Sequence, residues 1–369
     1  MKNVLFMTPG FPIGGAETFL INLLNRFRSQ INPTVISLGA GRDSLNKLDP
    51  SINVIELKRK RRYDLSVITK LKSIIKENDI DCAFIIGFFP FFFFRYAVTR
   101  AKPIKVFLSL HSTKPRSLKG YIQGLIYSRL LNGEEKLITV CKNQATYLSK
   151  IYKISLSQFN TIYNGVDTNN YTLPPSGFNR KQFRESLQIP DDAYVIIQVA
   201  TFRKEKKHKD SLRALRMVHT DYNLKPYLLF VGSGDIDIEN KIRGFTQKYK
   251  LSEYVKFCGK QDDVRSYYWI SNLFTLSSST EAFSIAAIEA MACGLPCVLT
   301  DVGGANEMIS EGINGYLVPS HQPRKLADTW IKVIKNYNRF TPDKIRQRIV
   351  EKFSLDECLK QYGKLFSSE

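Results

Sequence analysis

Short apolar runs alternate along the chain with longer segments in which apolar residues recur every three or four positions. Several runs are almost entirely apolar, as strands are when helices cover both faces of a parallel sheet. Repeated alternation of such strands with helices predicts an α/β fold with parallel sheets. The predicted strands are Lys2–Met7, Pro33–Leu38, Ile52–Leu57, Cys82–Gly87, Ile104–Leu110, Leu137–Val140, Asn160–Tyr163, Tyr194–Ala200, Pro226–Val231, Tyr254–Cys258, Leu273–Leu276, Cys297–Thr300 and Tyr316–Pro319.

A polar, proline-containing segment from Asn164 to Asp192 interrupts this alternation. Such segments often separate domains, so we predict two doubly wound, Rossmann-like domains, residues 1–168 and 169–354. A last helix, Leu355–Phe366, is predicted beyond the final strand and helices of the second domain. In doubly wound sheets ligands bind at the carboxyl ends of the strands, so functional residues are expected there.

Composition narrows the class of protein. The 369 residues are 43% hydrophobic, which is enough for two ordinary cores. A net charge of +20 favours an anionic partner such as a phosphate ester, an acidic lipid surface or nucleic acid. The six scattered cysteines form no C-x-x-C pair and indicate a reducing compartment. The first apolar run is too short for a secretory signal, and the longest falls short of the roughly 18 residues of a spanning helix. We therefore expect a cytoplasmic protein.

Two carboxylates separated by seven residues, Glu281 and Glu289, mark the most informative segment. Glu289 is the only charge in Ser284–Ala292, which is predicted as a buried helix ended by Gly294. A buried carboxylate needs partners, either an arginine in the core or the hydroxyl groups of a sugar-like ligand. Glu281 is placed at the entrance of this helix, where N–H groups also favour an anion such as phosphate.

Three further groups stand where predicted strands end. Gly14 and Gly15 lie in a strand–helix turn and allow a phosphate to approach the backbone, although such glycines also occur for steric reasons. Five basic side chains lie between Arg203 and Lys209, as a diphosphate leaving group would require. His111 ends the fifth predicted strand, either as a cleft residue or as a structural histidine.

These motifs together resemble GT-B glycosyltransferases of family 4. The resemblance rests on the E-x7-E segment with Gly-x-Pro and Asp-x-Gly-Gly after it, on Gly-Gly-Ala-Glu at 14–17, and on Glu205-Lys206. It implies an α/β fold in which two Rossmann-like domains face a central cleft, with residues 355–369 packing back on the first domain. It also implies an acceptor site in the first domain and a donor site in the second.

The resemblance further implies transfer of a hexose or N-acetylhexosamine from a nucleoside diphosphate sugar with retention of configuration. We expect the donor to be a UDP-sugar and the reaction to need no metal or cofactor. Thr201 stands where the family has an arginine, so Arg203 is the weaker match and Lys206 the clearer one. The implied catalytic residues are His111, Arg203, Lys206 and Glu281, and the implied donor-binding residues are Gly14, Gly15, Arg203, Lys206, Gly232, Phe283, Ser284, Ile285 and Glu289.

Two stretches of the first domain concern the acceptor. Lys58–Arg62 reads KRKRR, and Phe88–Phe94 holds six phenylalanines. The basic run is either a solvated face or a patch for anionic lipid, and the rings are either core or a wall for a lipid chain. We expect a lipid-linked oligosaccharide acceptor for bacterial cell-surface polysaccharide, reached at an anionic membrane surface on the inner face of the cell membrane.

Two alternatives remain open at this point. A GT-B nucleotide-sugar 2-epimerase would use the same donor site without an acceptor. A basic nucleic-acid-binding protein would explain the charge, but the charge gathers in strand-end loops and lacks the aromatic–basic interleaving of RNA-recognition modules. We therefore predict no nucleic-acid partner.

Overall fold

The computed structural model describes residues 1–12, 15–39, 41–98, 103–111 and 118–367. The chain divides into two compact units. The first unit is Met1–Asn164 with Cys358–Glu369, and the second is Gly165–Glu357. Within the described ranges, no helix is long and apolar enough to cross a membrane.

The first unit is a parallel sheet whose strands alternate with helices. Seven described strands pair in the order β3-β2-β1-β4-β5-β6-β7. Each overlaps a predicted strand, which confirms the expected α/β alternation. The strands are β1 Asn3–Thr8, β2 Asn32–Ser37, β3 Val54–Glu56, β4 Cys82–Ile86, β5 Lys105–Leu110, β6 Lys136–Thr139 and β7 Phe159–Thr161. The helices are α1 Gly15–Phe27, α2 Ser66–Glu77, α3 Phe88–Ala97, α4 Leu118–Ser128 and α5 Lys142–Tyr152.

The second unit repeats the plan with six described strands in the order β10-β9-β8-β11-β12-β13, all parallel. Its strands again overlap the predicted ones. They are β8 Val195–Val199, β9 Tyr227–Val231, β10 Val255–Phe257, β11 Leu273–Leu276, β12 Cys297–Thr300 and β13 Gly315–Val318. The helices are α6 Arg180–Ser186, α7 His208–Asp221, α8 Ile236–Lys248, α9 Arg265–Trp269, α10 Ile285–Ala292, α11 Ala305–Met308, α12 Pro323–Lys335 and α13 Pro342–Phe353. The final helix, α14 Leu355–Ser367, begins in this unit but belongs mostly to the first.

The last helix, α14, is assigned to the first unit from Cys358 onward. The Phe366 ring lies 5.9 Å from Phe6 of β1 and 5.6 Å from Phe27 of α1. The Tyr362 ring lies 4.8 Å from Phe19 of α1. Its apolar residues therefore complete the core on one face of the first sheet.

The phenylalanine run forms α3 and divides between core and partly exposed positions. Phe91, Phe93 and Phe94 are almost fully buried, so the core alternative is confirmed for these three rings and the lipid-facing alternative is wrong for them. They are buried because α3 packs on the sheet, and a helix lying on a sheet turns one face of its side chains inward. Phe88, Phe89 and Phe92 are only partly buried and pack against the same core.

Arg184 holds in place the segment that connects β7 to β8 along the chain. The side chain is fully buried, and its guanidinium donates to the Ile270 carbonyl at 2.6 Å and the Asp191 carbonyl at 2.6 Å. It also donates to Ala193 O at 2.8 Å. Burial lowers the pKa of Arg184 to about 10, so the group stays charged at neutral pH. The predicted polar break thus contains a helix, α6, which is tied to the second unit by one arginine.

Candidate functional site

Helix α10 carries Glu289 among apolar neighbours. Its first turn is capped by Ser284, whose Oγ accepts a hydrogen bond from the Ala287 N–H at 3.2 Å. The Tyr268 hydroxyl donates to Glu289 Oε2 at 3.0 Å, and Tyr171 also hydrogen-bonds this carboxylate. Burial raises the pKa of Glu289, and the two tyrosines partly oppose this effect. The arginine partner considered above is not found among the described residues.

A second arginine places Tyr171 beside α10. The Arg346 guanidinium donates to the carbonyl oxygens of Thr168 at 2.6 Å and Ala292 at 2.7 Å, and also to that of Tyr171. One side chain therefore ties the 168–171 segment to the end of α10. No local pattern indicates Tyr171, Tyr268 or Arg346 as partners, because each is far from Glu289 along the chain.

Lys206 and Glu281 form the central ion pair of the second unit. Lys206 Nζ lies 2.5 Å from Glu281 Oε1, and the Ser278 hydroxyl donates to the same oxygen at 2.7 Å. The two side chains are 21% and 17% exposed. Glu281 precedes α10 by four residues. The helix entrance itself is occupied by Ser284, so Glu281 faces a lysine and a serine instead of the helix N–H groups.

A buried polar network fixes the backbone that carries Lys206. The Ser277 hydroxyl is 3.1 Å from the Lys206 carbonyl oxygen and 2.9 Å from that of Lys207. Gln198 Nε2 donates to the Lys206 carbonyl at 3.3 Å, and the Ser211 hydroxyl donates to Gln198 Oε1 at 2.6 Å. The side chains of the network are almost fully buried, so water cannot easily replace these bonds. The end of β8 is thereby locked to the end of β11.

Two glycines of the second unit allow close backbone approaches, one of them beside Glu281. Gly232 has φ +139°, and a Cβ there would lie 2.3 Å from the Ala200 carbonyl oxygen. Gly303 has φ +59°, and a Cβ there would lie 2.2 Å from the carbonyl oxygen of Glu281. Any larger residue at Gly303 would displace the Glu281 loop. Gly232 was among the predicted donor-binding residues, whereas Gly303 was noticed only as part of a motif.

Three other residues of the second unit that were predicted to bind the donor lie in different environments. Arg203 is exposed and lines a pocket of about 340 Å³ whose lining includes neither Lys206 nor Glu281. Phe283 is 5% exposed and its ring lies 5.3 Å from Phe353, so its side chain belongs to the core. Only the backbone of Phe283 is then left for ligand contact. Ile285 opens α10 and is half-buried.

In the first unit, His111 directly follows β5. Its Nε2 is 3.0 Å from the Ser109 hydroxyl, and its ring lies 5.4 Å from that of Phe19. Burial lowers the pKa of His111 to about 4, so the imidazole is neutral at pH 7 and can offer hydrogen bonds but no charge. Gly15 begins α1. Gly14 and the loop after His111, residues 112–117, lie outside the described residues.

Metal ligands were also sought. In the described ranges, no group of three or more His, Cys, Asp or Glu side chains is arranged to hold a metal ion. In chemical terms the second unit offers one partly buried ammonium group, two carboxylates on either side of a helix start, and glycine-rich strand ends. Such a set can bind an anion and several hydroxyl groups side by side.

Comparison with known proteins gives the family. The model of "Glycosyltransferase Family 4" matches residues 13–170, and that of "Glycosyl transferases group 1" matches residues 179–352. N-acetyl-alpha-D-glucosaminyl L-malate synthase of Bacillus anthracis is 27% identical over 342 residues, which are 87% of this chain and 85% of that protein.

Solved structures agree with this assignment. Anabaena HepE in complex with UDP superposes with a TM-score of 0.86 at 19% identity and covers 100% of both chains. A glycosyltransferase from Rickettsia africae superposes with a TM-score of 0.84 at 20% identity, over 99% of this chain and 97% of its own. The two parallel sheets and these matches show the GT-B fold, and the chain belongs to family 4 of the GT-B glycosyltransferases.

Proposed function

We propose that this glycosyltransferase moves a hexose or N-acetylhexosamine from a UDP-sugar to a lipid-linked glycan acceptor with retention of configuration. The UDP complex of HepE supports a UDP donor, and the relative from Bacillus anthracis, an N-acetylglucosaminyl malate synthase by name, supports an amino sugar. Bacterial cell-surface polysaccharide synthesis, of the O-antigen or capsule type, is the setting we propose.

The observation that carries the proposal is the Lys206–Glu281 pair. A diphosphate leaving group gains negative charge as the glycosidic bond breaks, and a positioned ammonium group stabilises that charge. Lys206 is held for this by the buried network around its backbone. When a donor binds, its phosphate oxygens replace Glu281 as the ion-pair partner of the Lys206 ammonium group. Glu281 is then released to accept hydrogen bonds from the sugar hydroxyls.

The remaining residues receive roles that suit their chemistry. Glu289 accepts from the ribose hydroxyls, with Tyr171 and Tyr268 holding the carboxylate in place. His111 contacts the transferred sugar or the acceptor as a neutral imidazole. Arg203, three residues before Lys206 in the same unit, adds a second cation for the diphosphate. We name no enzymic nucleophile, because the acceptor attacks from the face that the leaving group departs.

Donor choice is tested with a panel of UDP-, GDP- and ADP-linked hexoses and N-acetylhexosamines. Many transferases hydrolyse their donor slowly without an acceptor, so we expect one UDP-sugar to release UDP measurably faster than the rest. Nucleotide release is followed by a coupled assay over hours. A preference for GDP- or ADP-sugars would overturn the UDP assignment. Hydrolysis of none, together with no UDP binding by calorimetry, would overturn the function.

We also propose that the first unit works at an anionic membrane surface. Its basic run, Lys58–Arg62, is largely exposed. Each such residue near an anionic membrane contributes about 1 kcal/mol of attraction, which is screened beyond roughly 8 Å at physiological salt. We expect the protein to float with phosphatidylglycerol vesicles, and a variant with glutamine at positions 58–62 to stay in the pellet. Flotation that ignores lipid charge, salt and these residues would contradict the proposal.

A further inference from the structure

A basic pocket of about 570 Å³ lies in the first unit, where β2 and β3 end. Leu38 follows β2, and Glu56 is the last residue of β3. The pocket therefore opens at the edge of the sheet where doubly wound folds bind ligands. Its cationic lining consists of Arg42, Lys58, Arg59, Arg61 and Arg62.

The lining carries a large excess of positive charge. Glu56 is the one carboxylate of the lining, and it lies 3.0 Å from Arg42 Nε. In the part of the chain that the structure describes, the other four cations form no ion pair with a carboxylate. Four unpaired cations around one cavity repel one another, and a dianion placed among them would relieve that repulsion.

The backbone that presents these cations is fixed. The Asp64 carboxylate is almost fully buried and accepts from the Lys60 N–H at 2.9 Å and the Ser66 hydroxyl at 2.7 Å. The Lys60 and Ser66 hydrogen bonds lower the pKa of Asp64 to about 2. On the opposite side, Arg59 Nε donates to the Leu38 carbonyl at 3.1 Å. The turn is thus tied both to α2 and to the end of β2.

Two of the guanidinium groups are also oriented by aromatic rings. Arg59 lies 4.8 Å and Arg62 5.6 Å from the centre of the Phe89 ring. Arg62 Nη2 further donates to Gln123 Oε1 at 2.9 Å. Planar guanidinium groups held in this way keep free N–H groups for a tetrahedral oxyanion.

We propose that this pocket binds a phosphate or diphosphate group carried by the acceptor. The inference rests on the proposed function and deepens it, since it makes the acceptor an anionic, phosphate-bearing molecule recognised in a defined cavity. It also gives the partly exposed face of α3 a role, because Phe89 supports the guanidinium groups that line the cavity.

The first test is calorimetry with inorganic pyrophosphate in the presence of saturating UDP, which occupies the donor diphosphate site. We expect one further pyrophosphate to bind. Lys58→Gln combined with Arg61→Gln should weaken that binding at least tenfold. The matched control is Lys70→Gln with Lys72→Gln, two exposed lysines of α2 outside the lining, and it should change affinity less than twofold. Equal losses in both double variants would reduce the pocket to general electrostatics and overturn the proposal.

A second variant separates geometry from charge. Asp64→Asn removes a negative charge beside the pocket but also loses one of the two sets of hydrogen bonds that hold the turn. General electrostatics predicts tighter pyrophosphate binding, whereas a fixed pocket predicts binding weakened by about fivefold or more. Circular dichroism and thermal melting establish that the unit remains folded. Tighter binding by a folded Asp64→Asn protein would contradict the proposal.

The source of the phosphate is resolved by comparing probes. Inorganic pyrophosphate, inorganic phosphate and farnesyl diphosphate in phosphatidylcholine vesicles present the same group free or on a lipid. Binding of the vesicle-borne diphosphate that is lost in the Lys58/Arg61 variant supports a lipid-linked acceptor. Binding of the free anions alone supports a water-soluble phosphorylated acceptor. No binding of any probe overturns the proposal.

The test of the basic pocket can be separated from the test of the donor site. If UDP itself fails to bind, the proposed function fails. The pocket can then be tested in a Lys206→Gln background, in which the proposed diphosphate site of the second unit has lost its ammonium group. Loss of pyrophosphate binding in the Lys58/Arg61 variant of that protein would still establish the pocket.

Discussion

Glu281→Gln should lower donor turnover by roughly 10- to 150-fold without weakening UDP binding. The carboxylate is proposed to accept from sugar hydroxyls as the transition state forms, and a hydrogen bond to a charged group contributes about 1.5–3 kcal/mol. UDP lacks the transferred sugar that Glu281 is proposed to contact, and the variant frees Lys206 from its charged partner. We therefore expect UDP affinity to be unchanged or tighter by calorimetry, while UDP release from the donor slows.

Glu289→Gln should give the opposite pattern, with UDP affinity lower by about tenfold and turnover at saturating donor little changed. The amide keeps one acceptor oxygen for the tyrosines but loses the charge that binds ribose hydroxyls. The affinities of UDP and 2′-deoxy-UDP are compared in the parent and in Glu289→Gln to isolate this contact. The parent should prefer UDP, and the variant should show a smaller preference. Burial raises the pKa of Glu289, so this carboxylate is protonated at a higher pH than an ordinary glutamate. The UDP affinity of the parent should therefore begin to fall at that higher pH when the solution is acidified.

Glu253→Gln is the matched control for both variants, because Glu253 is an exposed carboxylate of the same unit with no predicted role. It should bind UDP and turn over donor like the parent. If Glu281→Gln and Glu289→Gln both behave as this control does, the assignment of the site is wrong.

Much of the fold was predictable because the strands are nearly pure apolar runs. β4 and β9, for example, are buried at every position, and their runs stand out in the sequence. The Glu281–Glu289 spacing was readable for a similar reason, since an apolar helix with one charge is unusual over a short window. Local patterns of this kind determine which element a residue occupies.

The partners of those residues could not be predicted in the same way. Glu289 is hydrogen-bonded by Tyr268, and Lys206 is held by Ser277, through contacts between segments that are distant in the chain. Which phenylalanines of α3 are buried and which are partly exposed could not be predicted either. Whether Phe91 is buried and Phe92 only partly so depends on how α3 rotates against the sheet, which periodicity in so uniform a run does not specify.

Lys206, and no metal ion, is proposed to neutralise the diphosphate. Lys206→Gln removes the ammonium while leaving the backbone network intact, since Gln198 and Ser277 bond to the carbonyl of residue 206. We expect turnover to fall by about 100-fold or more, in line with the loss of one donor to a developing charge. Lys241→Gln, an exposed lysine on α8, removes the same charge outside the site and should have no such effect.

The most direct measurement is release of UDP from the preferred UDP-sugar, with excess EDTA and then with added Mg²⁺ or Mn²⁺, for the parent, Lys206→Gln and Lys241→Gln. We expect the parent and Lys241→Gln to release UDP equally fast in EDTA and with metal, and Lys206→Gln to be slow in both. Activity that requires Mg²⁺ or Mn²⁺, or a Lys206→Gln protein as fast as the parent, would contradict this expectation.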